Sequence, residues 1–507
     1  MVSVLVVMAA AALQQPPACD VLRTMSLPQA TITAAELVPA GAPAPGRSGR
    51  GGQGEPLPAH CRVAATLTPS ADSHIEMELW LPIEGWNGKF LAVGNGGWAG
   101  SISTGAMAGG LRRGYATASN DTGHTGGSAE FALGHPEKLV DFGYRAMHEM
   151  AVQSKALIQA FYRRGPELSY YEGCSTGGRQ GLMSAQRFPE DFDAIVAGAP
   201  VYNVVHLNVS QVALQLGMLR NPASLVPPDK RRLFADAVVA ACDPRDGVTD
   251  GIVNEPRACR FDPAGLACVA GGPPTSLGAG GAGGDACFTP EQVENARSAH
   301  GPVTTEDGTL VYPGRSPGFE AGWRIPTPGT PLSPLWSGTV AYIGRQDPDW
   351  DPATFDLETD LALALEHGGF IEASDPDLEA FKARGGTLLL YHGWADPGPA
   401  PENTIDYHEA VADTLGGDQG DWMRLFLMPG VGHCGGGVGP DQADFLGALE
   451  RWREQGEAPD RIVATRPAGR GGAGTAMSRP LCPYPQVARF TGSGSTNEAG
   501  RFACVAP

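Results

Sequence analysis

Positive charge is scarce in this chain of 507 residues. Its 36 Lys and Arg stand against 55 Asp and Glu, a formal net charge of −19. Phosphate binding needs a basic surface, so no nucleic-acid partner is expected. Long apolar runs are missing as well. None reaches the roughly 18 residues of a membrane-spanning helix, so no span and no membrane partner are expected. There is no C-x-x-C pair of the zinc type. No fixed period repeats, which argues against solenoid and propeller architectures. Basic residues are also absent from the first segment. Met1 to Ala12 is short, apolar and rich in small side chains, like the h-region of a signal peptide, but it lacks the positive n-region. We expect residues 1–18 to be a leader, with the true start and the cleavage site open, and the mature chain to be secreted or periplasmic. The excess of Arg over Lys, with abundant Ala and Gly, points the same way, to a GC-rich bacterial source.

What the chain does have fits that compartment. Ten cysteines are present: Cys19, Cys61, Cys174, Cys242, Cys259, Cys268, Cys287, Cys434, Cys482 and Cys504. An even count in an exported chain implies five disulfides. The length exceeds one ordinary domain, so a second domain or a large insertion is expected. Gly 70 and Pro 44 together approach a quarter of the residues, which implies many loops. Alternating apolar positions predict paired strands from Cys61 to about Trp80. Further strands are predicted at Lys89–Val93, Tyr115–Ser119, Leu168–Glu172, Phe192–Val196, 386–392 and 424–428. Helical spacing covers 141–162, the residues after Gly177, and 445–452. Between about Val204 and Asp375 this rhythm is lost, and the Gly-rich tract 271–284 within that stretch has the composition of a mobile loop tip. Strands alternating with helices, interrupted once, predict an α/β fold with a lid. The expected division is 19–203 with 376–507 as the catalytic domain and 204–375 as the lid.

Gly173-Cys174-Ser175-Thr176-Gly177 follows a predicted strand and precedes a predicted helix. That is the context in which G-x-S-x-G makes a sharp turn and lifts the serine oxygen above a sheet. A hydroxyl becomes a nucleophile when a histidine takes its proton, and a carboxylate holds that histidine. In strand order the partners are Asp396, after the strand ending at His392, and His433, after the strand ending at Met428. As a plain turn residue Asp396 would need no such partner. His392 lies inside a strand and reads as buried structure, and His124, His148 and His408 lack a strand-end setting. The oxyanion formed on attack needs two N–H donors. Thr176, the residue after the serine, supplies one, and the loop Gly94-Asn95-Gly96-Gly97-Trp98 the other, with Gly97 the first candidate and Gly96 the second. Ser175 and His433 each have a cysteine neighbour, and a bond between Cys174 and Cys434 would tie nucleophile to base. Asp243, Asp246 and Asp250 crowd three carboxylates into one short loop, which suggests calcium. The spacing differs from an EF-hand, and a solvated Asp-rich turn would look alike. Cys242 and Cys259 could close this loop.

These motifs resemble the tannase and feruloyl esterase family of α/β-hydrolases, which also contains a terephthalate-monoester hydrolase. The likeness covers about Cys19 to Cys504. It rests on Gly173–Gln180, Phe188–Asp193, Gly198-Ala199-Pro200, Tyr391–Asp396, Gly432-His433-Cys434 and Arg479–Pro485. The resemblance implies an α/β-hydrolase fold with a large lid domain inserted between nucleophile and acid. It implies Ser175, Asp396 and His433 as the triad and a Cys174–Cys434 bond. It also implies structural Ca2+ in the lid, held by Asp243, Asp246 and Asp250 with backbone oxygens at Val248 and Ile252. The remaining pairs expected are Cys19–Cys61, Cys242–Cys259, Cys268–Cys287 and Cys482–Cys504. Two departures stand out. Pro397-Gly398-Pro399-Ala400 differs from the family's usual rim, and Thr176 stands where the terephthalate enzyme has Glu. That enzyme binds a substrate carboxylate with a lid arginine, for which Arg324 and Arg345 are candidates here. Phe319, Trp323 and Trp336 could stack on an aromatic acyl group or simply fill a core. The expected activity is that of a serine carboxylesterase acting on small aromatic, plant-type phenolic esters through an acyl-enzyme. The alternatives are a terephthalate-monoester hydrolase, an inactive binding relative, or a metal-dependent hydrolase.

Overall fold

A computed structural model describes residues 18–43, 56–98, 100–268, 287–469 and 475–507. The proposed leader up to residue 17 and the tract 271–284 lie outside the described residues. Nine strands form the main sheet: β1 (Ala30–Val38), β2 (His60–Leu67), β3 (Ile75–Pro82), β4 (Lys89–Val93), β5 (Ala116–Asn120), β6 (Leu168–Cys174), β7 (Ala194–Gly198), β10 (Thr387–Gly393) and β11 (Met423–Met428). Between the last two groups lies the small ribbon β8 (Val303–Thr304) and β9 (Leu310–Tyr312). The order across the sheet is β1-β2-β3-β5-β4-β6-β7-β10-β11. The first three strands and β5 pair antiparallel; from β5 through β4 to β11 all neighbours are parallel.

Alternation along the parallel strands builds two apolar layers. In β4, Phe90 and Ala92 join one buried cluster and Leu91 and Val93 the other. Leu388 and Leu390 face one side in β10 while Leu389 faces the opposite one. A strand buried on both faces reads as an unbroken apolar run, which is why these strands were visible in the sequence. Helices Ala146–Tyr162, Thr176–Arg187 and Pro401–Leu415 cover the first face through Met150, Leu182 and Ile405. Helices Thr104–Arg112 and Phe445–Gln455 cover the second through Met107, Leu111 and Leu449.

The long connection from β7 to β10 contributes nothing to the main sheet. Its helices, among them Val204–Arg220, Pro228–Cys242, Pro290–His300 and Leu357–Gly368, build one apolar cluster of their own and share a second with Trp98, Ala129, Leu139 and Phe142. After β11 the chain adds two hairpins, β12 (Ile462–Arg466) with β13 (Met477–Leu481) and β14 (Val487–Phe490) with β15 (Phe502–Val505). All ten cysteines are paired, as Cys19–Cys61, Cys174–Cys434, Cys242–Cys259, Cys268–Cys287 and Cys482–Cys504. Among the described residues no helix is long and apolar enough to cross a membrane.

Candidate active site

In parallel sheets, ligands gather beyond the carboxyl ends of the strands, where the winding direction reverses. Here β4 is that point, flanked by β5 and β6. Four loops leave the carboxyl edge there and along the parallel strands beyond it: Gly94–Trp98 after β4, Ser175 after β6, Asp396 after β10 and His433 after β11.

Ser175 sits between the last residue of β6 and the first of helix Thr176–Arg187, at φ 66° and ψ −123°. That backbone region is left-handed and costly for a residue with a side chain, about 1–3 kcal/mol. The turn closes because glycines let its two limbs touch. A Cβ on Gly173 would come within 2.7 Å of the Gly177 backbone, and one on Gly178 within 2.4 Å of the Gly198 oxygen. The Ser175 amide donates to that same Gly198 oxygen at 2.9 Å. The helix therefore starts directly beneath the serine, with its unpaired N–H groups and the positive end of its dipole at the site.

His433 Nδ1 lies 2.6 Å from Asp396 Oδ2. Asp396 is completely buried. Burial alone would raise its pKa, but the charge of His433 and hydrogen bonds from His392 and His433 outweigh it and hold the carboxyl well below its ordinary value. The Gly398 amide donates to Asp396 Oδ1 at 2.8 Å. The Cys174–Cys434 disulfide joins the residue before the serine to the residue after the histidine.

Ser175 and His433 line one cavity of about 340 Å³ with Thr176, Gly96 and Gly97. The Thr176 hydroxyl donates to the Gly97 carbonyl at 2.8 Å, which fastens the loop after β4 to the start of the serine's helix. Gln180 adds a second fastening: its side chain exchanges hydrogen bonds with Asn95, one with the backbone amide and one with the side chain, both at 3.1 Å. The sequence named Gln180 only as part of a motif; its partner lies 85 residues away and no local pattern points to it. The apolar wall comes from Trp98, Phe142, Val201 and, within the long connection, Val204, Leu207, Leu335 and Trp336. Trp98 donates its indole N–H to the Leu335 carbonyl at 2.9 Å, joining the two halves of the wall. Pro397, Gly398 and Pro399 form part of the rim, so the departure seen in the sequence lies at the cavity.

The remaining candidates divide. Arg324 and Trp336 line the cavity. Arg345 instead pairs with Asp360 at 2.5 Å and is absent from the lining. Phe319 and Trp323 are core residues, packed with Phe234 and His300. In the acidic loop, Asp243 accepts the amides of Asp250 and Gly251, and Asp246 accepts that of Val248. Asp250 accepts the amide of Ile252 and the guanidinium of Arg479. Burial, then the neighbouring charges of Asp250 and Asp243, push Asp246 up to about 6. Three carboxylates against one guanidinium leave an excess of negative charge, which fits a hard, oxygen-seeking cation. Among the described residues no three His, Cys, Asp or Glu side chains form a metal cluster by themselves, so a cation here would also draw on backbone oxygens.

Residues 61–505 match the family described as tannase and feruloyl esterase. The chain belongs to this family. An esterase of Xanthomonas campestris, described as uncharacterized, is 37% identical, with 96% of this chain and 91% of that protein aligned. The mono(2-hydroxyethyl) terephthalate hydrolase of Piscinibacter sakaiensis is 35% identical, with 89% and 85% aligned. The crystal structure of feruloyl esterase B from Aspergillus oryzae superposes with a TM-score of 0.86 at 30% identity, covering 96% of this chain and 99% of that one. The fold is accordingly that of the family's α/β-hydrolases, and the chain is a carboxylic ester hydrolase.

Proposed function

We propose that this esterase hydrolyses esters of small aromatic, phenolic acids through an acyl-enzyme on Ser175. The observation that carries the reading is the convergence of Ser175, Thr176, Gly97 and His433 on one apolar cavity, with His433 bonded to the buried Asp396. Asp396 holds Nδ1 of His433 and so leaves Nε2 as the basic nitrogen. Nε2 takes the Ser175 proton as Oγ attacks the ester carbonyl. The amides of Thr176 and Gly97 receive the oxyanion, assisted by the helix N-terminus. His433 then gives the proton to the departing alcohol. Water enters, loses a proton to His433, attacks the acyl carbonyl, and the acid leaves as Ser175 recovers its hydrogen.

Flat aromatic walls at Trp98, Phe142 and Trp336 suit a planar acyl group, and the feruloyl esterase relative has that substrate type in its name. Arg324 in the cavity wall favours a second reading, a terephthalate monoester whose free carboxylate it would meet. Residues 204–375 act as the lid in this reading. Calcium held by Asp243, Asp246 and Asp250, with oxygens of Val248 and Ile252, would neutralise the loop's charge and stay outside the chemistry. Five disulfides suit an oxidising compartment, so the mature enzyme is exported.

The test is a substrate panel of methyl ferulate, methyl gallate, chlorogenate and the terephthalate monoester, with wild type and Ser175→Ala. A phenolic ester should be hydrolysed fastest, and the variant should lose at least about a thousandfold in kcat. Retained hydrolysis by Ser175→Ala would overturn the mechanism, and preference for the terephthalate monoester would replace the substrate class.

A further inference from the structure

Asp396 Oδ2 receives two imidazoles. His433 Nδ1 lies at 2.6 Å on the cavity side, and His392 Nε2 at 3.1 Å on the inner side. His392 belongs to β10, is fully buried and is absent from the cavity lining, so it touches no substrate. Its other nitrogen, Nδ1, meets the buried Thr404 hydroxyl at 2.7 Å. If that hydroxyl gives its proton to Nδ1, Nε2 is the nitrogen that carries a hydrogen towards Asp396. Thr404 belongs to the helix Pro401–Leu415, so a helix, a strand and the acid's turn meet in one chain of polar contacts.

We propose that His392 is a positioning residue for proton transfer: it fixes the Asp396 carboxylate from inside the sheet, and Thr404 selects the ring nitrogen that does so. The inference rests on the reading of Ser175, Asp396 and His433 as the triad. Burial requires a partner for each ring nitrogen; Thr404 serves Nδ1, and the partner that Nε2 finds is the carboxylate of Asp396 itself. A donor to a carboxylate favours its ionised form. It also shares the charge that Asp396 would otherwise direct wholly at His433. The other charged or titratable groups near Asp396 come from the connection between β7 and β10. Arg315 donates to the Gly398 carbonyl at 2.8 Å, and the Tyr312 hydroxyl accepts the Ala400 amide at 3.1 Å. Both interact with Asp396 electrostatically while their hydrogen bonds go to the backbone after it. His392 is therefore the group besides His433 whose side chain bonds the carboxylate itself among the described residues.

The experiment compares full-length His392→Phe, His392→Gln and Thr404→Val with wild type, on the panel ester hydrolysed fastest. His392→Phe should lower kcat about tenfold or more with KM almost unchanged, because misplacement by a fraction of an ångström is costly. The acid limb of kcat/KM should move to higher pH, since Asp396 without its second donor holds the His433 imidazolium more tightly. His392→Gln, which can still donate, should recover most of both. Thr404→Val should shift the limb in the same direction by less. Folded His392→Phe with wild-type kcat and acid limb would overturn the proposal, whatever its melting temperature. If His392→Phe does not fold, wild-type kcat and limb in Thr404→Val would overturn it instead. Ser175→Ala run alongside separates the two claims: activity there sinks the triad, whereas inactivity there with an unperturbed His392 series sinks this inference alone.

Discussion

Ser175 is held in a left-handed conformation by neighbours on both sides, and one of them is covalently fixed. Cys174 is bonded to Cys434, so the residues beside Ser175 and His433 cannot drift apart. The sequence separation of that bond, 260 residues, makes the constraint on the unfolded chain large, about 5.5 kcal/mol in the chain-entropy description. In the proposed mechanism the chemistry would feel a different part of the bond's effect, the alignment of Ser175 with His433. Cys174→Ala combined with Cys434→Ala should therefore lower kcat more than it raises KM, measured well below the variant's melting temperature. Wild-type kcat in the folded double variant would reduce the disulfide to a stabilising link. At this scale the sequence was informative wherever a motif is contiguous, as at Ser175, and silent where partners are remote. Arg179 is the clearest case. It is fully buried, donates to the carbonyls of Phe142, Gly143 and Ile371, and has its pKa lowered by burial to about 10. It ties the serine's helix to the helical segment Asp141–Arg145 that carries the cavity residue Phe142, a role that no local pattern reveals.

Among the elements, the acidic loop after helix Pro228–Cys242 carries a prediction with a definite sign. Asp246 is raised to about 6, from an ordinary carboxylate value near 3.8. A folded state with the higher pKa binds the proton more readily than the unfolded one, so stability falls as pH rises from about 4 to 6 and the full cost is present above that. Calcium should cancel this cost. Thermal melts in EDTA and in calcium, from pH 4.5 to 7, should diverge increasingly as pH rises, and Asp246→Asn should shrink the difference. Asp121 is raised into the same range, but it lies elsewhere in the fold and cancels in the comparison. Melts that coincide with and without calcium at pH 7 would remove the cation. Element by element, legibility followed burial. The parallel strands stood out because both faces are apolar. Strand β1 was missed: it is an edge strand, largely exposed, with an irregularity between Ile32 and Ala34 that breaks its alternation. Helix Val204–Arg220 was hidden for the opposite reason. Asn208, Ser210, Gln211 and Gln215 are buried in it along with its valines and leucines, so no polar face marks a helical period.

Over the whole molecule, one sheet edge collects what four distant segments supply, and the connection between β7 and β10 closes the cavity above it. The parallel strands, the strand-end positions of Ser175, Asp396 and His433, and the number of disulfides were legible because each leaves a local or countable mark, whereas which cysteines pair came from the family resemblance. The cavity wall was not, since Trp98 and Leu335 meet across 237 residues and Trp336 and Trp323 look alike until the fold separates them. In the proposed mechanism this architecture serves one nucleophile. Inactivation with a fluorophosphonate, followed by peptide mass spectrometry, tests it most directly. One adduct per chain is expected, on Ser175, appearing in step with the loss of ester hydrolysis and absent from His433→Ala. An adduct on another residue, or full hydrolysis by enzyme fully labelled at Ser175, would contradict it.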